Sequence, residues 1–268
     1  MQRAFIEAIL IGGICAVVGV YVVLNGLSFI GAGISHSTFA GVALGLLIGV
    51  DPLITALLFS ALTALSIGWV SERTDLKHDT SVGIFFAATM ALGVLLLGFM
   101  RDYYVDVFSY LFGNILALTA TDIWISLGMT LVIATVIFAL FKEFLALSFD
   151  AEVASVMGLP VRSLHYLLLL LIAMTVVLSV KSVGVVLVSA LIVTPAAAAH
   201  QLTVNFRRMM LLAVLIGIGS SVSGLLLSYY IDIPSGAGIV LIATLLFFAS
   251  WLYSPRRRAI RNFTPASS

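Results

Sequence analysis

The fold class this sequence predicts is an all-α, polytopic integral membrane protein, and three observations predict it. The chain is 62% hydrophobic and 9% charged over 268 residues, with a mean hydropathy of +1.22. A water-soluble domain of that length needs far more charge to cover its surface. The few charged residues also divide the chain into uncharged stretches close to the roughly 20 residues that a membrane-spanning helix needs. Finally, basic residues collect in alternate loops, as expected of a chain that crosses the bilayer repeatedly.

Taken in order, 43 uncharged residues separate Glu7 from Asp51, room for two spans with a turn near Asn25-Gly26. Further uncharged stretches cover 52–71, 80–100, 123–141, 163–180, 182–206, 209–231 and 233–255, giving nine spans. The stretch 107–121 is too short to cross and is expected to stay on one side. With nine spans the termini lie on opposite sides. A cytoplasmic C-terminus puts ten basic residues inside and three (Arg3, Arg101 and Lys181) outside, so the N-terminus is predicted outside. The outer face then holds six acids, Glu7, Asp51, Asp102, Asp106, Asp122 and Asp232, a rim that would concentrate cations. Residues 1–255 read as one integral-membrane domain and 256–268 as a basic cytoplasmic tail. Gly41, Gly45 and Gly49, four residues apart, predict a close helix–helix approach.

Several function classes are excluded or disfavoured. Arg3 is followed at once by Glu7 with no cleavage site before the next apolar run, so a signal peptide is not expected. The single cysteine, Cys15, allows no internal disulfide. A net charge of +1 gives no reason to expect nucleic acid. A phosphate-binding P-loop needs Gly-Lys-Ser or Gly-Lys-Thr. Of Lys77, Lys142 and Lys181 only Lys181 precedes a serine, and Val180 stands where the glycine belongs. The chain is therefore not expected to hydrolyse ATP. Away from span ends no Asp, Glu, Lys or Arg is expected at membrane depth, which leaves His36, His200, Asn25, Asn114 and scattered Ser and Thr as the polar inventory. Ionisable groups inside a membrane are functional candidates, so the two histidines are the candidate metal ligands.

The segment "SFDAEVASVMGLPV", 148–161, is a polar break in this apolar chain, placed on the cytoplasmic side by the count of spans. Asp150 is a good N-cap, Glu152 suits the first turn, Gly158 can close the helix in a left-handed conformation, and Pro160 prevents continuation. Val153, Val156 and Met157 share one face. Such a helix could lie on lipid headgroups, but basic residues are absent between Lys142 and Arg162, so a groove on another protein fits better.

The run "LSFDAEVASVMGLPVRSLHYLLLLLIAMTVVLSVKSVGVVLVSALIVTPAAAAH" resembles the metal-cation ABC permease family, the zinc, manganese and iron importers. So do "GVYVVLNGLSFIGAGISHSTFAGVALG", "FGNILALTATD" and "DIPSGAGIVL", in the family's order and across essentially the whole chain. The resemblance implies a type II ABC importer-like permease of the inner (plasma) membrane, a homodimer set in lipid. Two ATP-binding ATPase subunits would bind beneath it and an extracytoplasmic metal-binding protein above. It implies no bound cofactor, only a transported divalent cation. Residues 150–158 would be the coupling helix, with Asp150, Glu152, Val153, Val156, Met157 and Gly158 engaging the ATPase.

One departure bears on the cargo. Many members of the family read Gly-Asp-Ala-Ile-Ser-His where this chain has Gly31-Ala32-Gly33-Ile34-Ser35-His36, so the position of the metal-binding Asp is Ala32. His36 remains, and His200, seven residues before Arg207, is expected at a similar depth, so that a dimer could gather four imidazoles. Loss of a hard oxygen ligand tilts the expected metal toward zinc over manganese or iron(II). The competing readings are an ion-coupled secondary transporter, which usually carries mid-membrane carboxylates and inverted repeats, an ABC permease for a metal chelate, and a structural subunit with no transport path.

Overall fold

A computed structural model describes residues 1–74, 77–100, 110–113 and 115–254. Every regular element among them is helical. The long helices are α1 (Gln2–Leu24), α2 (Ile30–Ile48), α3 (Pro52–Arg73), α4 (His78–Gly98), α5 (Ala120–Ala139), α8 (Val161–Val183), α9 (Val185–Leu202), α10 (Phe206–Ile231) and α11 (Ser235–Leu252). All nine are long and apolar enough to cross a membrane. Two short helices, α6 (Phe141–Phe149) and α7 (Ala151–Val156), join α5 to α8. A 3-10 turn at Ile115–Ala117 precedes α5. Asn114, Arg101, Asp102, Asp106 and the tail 256–268 lie outside the described residues.

Helices α1, α2, α8 and α9 form the centre, where Ile11, Tyr21, Ile34, Leu168, Ile172 and Leu191 are buried. The periphery is apolar too. Trp124, Leu131 and Phe138 of α5 and Ile84, Val94 and Leu95 of α4 face outward. An apolar outer surface around an apolar core is the distribution a lipid solvent demands.

Small residues set the closest crossings. Gly41 and Gly45 bring α2 against Ala56, Thr55 and Pro52 of α3, so an added Cβ would strike the α3 backbone. Gly49 does not extend that seam. It caps α2 at φ 72°, and a Cβ there would meet nothing. Gly12 and Gly217 do for α1 and α10 what Gly41 and Gly45 do for α2 and α3. Among lipids, such approach supplies the dispersion that the hydrophobic effect does not.

The two ends of the bundle are distinct. Asn25, Glu72, His78, Ala151 and Arg162 line one cavity at the first end. At the second end Asp51, Asp122 and Lys181 share another cavity, Glu7 meets Ser182, and Gly236 abuts Val183. Span ends therefore alternate as the loop charges predict. The described part of 107–121 stays at the second end, where Ile115 and Leu118 pack on Ala4, Ala8 and Leu225.

Candidate functional site

The segment 148–161 forms the short capped helix that its residues predict. The Asp150 carboxylate accepts from the N–H groups of Glu152 (2.9 Å) and Val153 (3.1 Å), capping α7. Gly158 adopts φ 83° after Met157, and Pro160 precedes α8. The inner face of α7 buries Ala154. The other face leaves Val153, Val156 and Met157 54%, 89% and 73% exposed. Three neighbouring apolar side chains are thus exposed together on a short capped helix, an unusual placement for a solvent-facing surface.

His36 lies six residues into α2, about 9 Å along the axis at 1.5 Å per residue. Its Nδ1 donates to the carbonyl of Ala32 at 2.9 Å, with Ser35 Oγ at 3.3 Å, and its ring packs on Phe86 of α4 at 4.2 Å between centroids. Donation through Nδ1 fixes the tautomer and leaves the Nε2 lone pair for a ligand. Ala32 holds the ring through its backbone oxygen, and its methyl side chain offers no ligand.

His200 is not brought to the same level. Gly31 of α2 sits against Ser189 of α9. The two helices run in opposite directions, so His36 lies five residues from that contact toward one end and His200 eleven residues toward the other. Among the described residues no group of three or more His, Cys, Asp or Glu side chains converges for a metal ion. One chain therefore presents His36 and His200 as separate groups.

Two features of the second end were not legible in the sequence. Glu7 is not part of an open acidic rim. It is 1% exposed inside α1 and accepts from Ser126 Oγ of α5 (2.7 Å) and Ser182 Oγ of α8 (3.3 Å), while Oε2 has no hydrogen-bond partner. Beside it Lys181 Nζ pairs with Asp122 at 2.6 Å. Asp122 also accepts from the N–H of Thr119 as the capping box of α5. This pair lines a cavity of about 340 Å³ that runs from Asp51 to Thr38, where Thr38 hydrogen-bonds Ser60 at 2.7 Å. The cavity thus brings two carboxylates and two threonine hydroxyls, Thr38 and Thr121, into one space, oxygen groups that can meet a cation.

The sequence profile of the ABC 3 transport family matches residues 1–254. The manganese transport system membrane protein MntC of Halalkalibacterium halodurans is 38% identical over 263 residues, 98% of this chain and 90% of that protein. The manganese import system permease protein ScaB of Streptococcus gordonii is 37% identical, across 98% and 94% of the two chains. PsaBC from Streptococcus pneumoniae, solved in complex with a Fab, superposes with a TM-score of 0.89 at 36% identity, covering 98% of this chain and 95% of its own. With nine membrane-length helices among its described residues and a match along almost its whole length, this chain belongs to the ABC 3 transport family and is a multi-span permease of an ABC transporter for metal ions.

Proposed function

We propose that this chain is the translocating subunit of an ATP-driven manganese importer, working as a homodimer on two ATPase subunits and fed by an extracytoplasmic metal-binding protein. The full-length similarity to permeases named for manganese carries the choice of metal. It displaces the tilt toward zinc that the missing carboxylate at Ala32 supplies. An imidazole suits manganese acceptably, and hydroxyls or water would complete a hard coordination sphere.

In this reading α7 is the coupling helix. Its capped N-terminus and the exposed Val153, Val156 and Met157 support docking in an ATPase groove. Nucleotide-driven movement would reach the spans through α6, anchored by the buried Phe144 and Leu147, and through α8. The ion would enter past Asp51 and Asp122 and pass His36. His36 binds it weakly enough to release it. His200 is a second, weaker contact near the cytoplasmic end.

Uptake by a deletion strain complemented with this chain tests the reading. Radioactive manganese should accumulate in an ATP-dependent way and be competed more effectively by unlabelled manganese than by zinc. Zinc uptake with no manganese uptake would reverse the choice of metal. Uptake of neither would remove the function.

A further inference from the structure

At the first end of the bundle, away from the proposed ion path, two imidazoles lie close together. His78 begins α4 and His165 lies in the second turn of α8, with ring centroids 5.7 Å apart and ring planes tilted by 53°. They line a cavity of about 620 Å³ together with Glu72 of α3, Asn25, and Ala151 and Ser155 of α7. Three separate elements thus deliver two imidazoles and a carboxylate to one solvent-filled space. The floor of that space is the docking helix.

The spacing of the rings leaves room for a shared ion. A metal bound to an imidazole nitrogen at about 2.0–2.1 Å stands about 3.2 Å from the ring centroid, so two ligating rings at a tetrahedral angle have centroids about 5.2 Å apart. The observed 5.7 Å corresponds to a wider angle of about 125°. Glu72 does not complete the set as it stands. Its Oε2 accepts from Arg162 Nε and from the Tyr166 hydroxyl, both at 3.0 Å. Arg162 also lies over the Tyr166 ring, 5.9 Å from its centroid, which holds the guanidinium in place. The remaining positions are therefore left to water.

We infer that His78 and His165 form a binding site for a divalent transition-metal ion at the mouth beside α7, with Glu72 as a third ligand held in reserve by Arg162. Imidazole with oxygen donors suits zinc, cobalt, iron(II) and manganese, and neither calcium nor magnesium. An ion there ties α4 to α8 across the cavity that α7 walls. Occupancy would stiffen the element that must move when the ATPase closes. That the site faces the compartment receiving the cargo, and so senses accumulated metal, rests on the function proposed above. The binding itself does not.

The test uses the purified full chain in detergent, titrated with cobalt(II), whose visible absorption reports imidazole ligation. Wild type should show a saturable band. His78→Gln and His165→Gln should each weaken it about tenfold or more. Arg162→Gln frees Glu72 and should tighten binding, a gain that a merely structural role for these residues does not produce. His78 is exposed, so its variant folds, and gel filtration with helical circular dichroism verifies this. An absent band in wild type, or an undiminished one in His78→Gln, overturns the site. Either result leaves manganese uptake, and with it the proposed function, to stand separately.

Discussion

At the scale of single residues, Glu7 departs most from what its neighbours in the sequence imply. Seven residues from the start it reads as a loop acid, because the chain shows its charge and not the serines that reach it from 119 and 175 residues away. Burial of a carboxylate is tolerated only where hydroxyls or protonation compensate for lost water. Glu7→Ala strands the Ser126 and Ser182 hydroxyls in a buried site, at about 1–3 kcal/mol for each unsatisfied group. Glu7→Gln keeps a carbonyl acceptor for both. Thermal unfolding in detergent should therefore show Glu7→Ala clearly destabilised and Glu7→Gln close to wild type. Equal losses would mean that the negative charge itself is required. His36 stands out in the sequence as an ionisable group inside an apolar span, and its Nδ1 bond to Ala32 shows how the tautomer is held. His36→Ala is expected to abolish manganese uptake at wild-type membrane abundance, while His200→Ala lowers it only in part. Normal uptake by His36→Ala would take the residue out of the path.

Among elements, α7 was legible almost to the residue because it is punctuated. A capping Asp, a left-handed Gly and a Pro are each local signals whose physics needs no distant partner. Its predecessor α6 was not. Leu140, at φ −104° and ψ 28°, breaks α5 from α6 without any glycine or proline to announce it, so 142–149 reads as plain connection. What bends the chain there is the burial of Phe144 against Tyr21, at 5.6 Å between ring centroids, a long-range contact invisible to local pattern. Two substitutions separate the parts of the docking helix. A Cβ at Gly158 meets no neighbouring atom, so the cost of Gly158→Val comes chiefly from the left-handed backbone, about 1–2 kcal/mol. It should loosen the end of α7 and weaken recovery of the ATPase in a pull-down. Val156→Asp leaves the fold untouched, since Val156 is 89% exposed, and places a charge on the apolar knob. It should abolish co-purification at unchanged permease yield. Wild-type recovery of the ATPase by both variants would assign docking to another surface.

The whole molecule is where composition speaks most plainly and sidedness least. Length and hydropathy alone predict nine crossings, and nine membrane-length helices are present among the described residues. The alternation of ends follows from connectivity, and contacts such as Asn25 Nδ2 to Ser148 Oγ, at 2.9 Å, bring together loops that the count places on one side. Which side faces the cytoplasm comes only from charge, ten basic residues against three. Single-cysteine labelling reads it directly. Cys15 is fully buried and shares a hydrogen bond with Ser179 at 3.1 Å, and a serine can keep that bond, so Cys15→Ser gives a silent background. Val50 sits between α2 and α3 and Val204 between α9 and α10, at opposite ends of the bundle, 43% and 78% exposed. With an impermeant maleimide on intact cells, Val50→Cys should react and Val204→Cys should react only after permeabilisation. The reverse pattern would invert the molecule and put α7 outside, where no ATPase could reach it. Labelling of both in intact cells would mean that the number of crossings between them is even, and that one of the helices α3, α4, α5, α8 or α9 does not span.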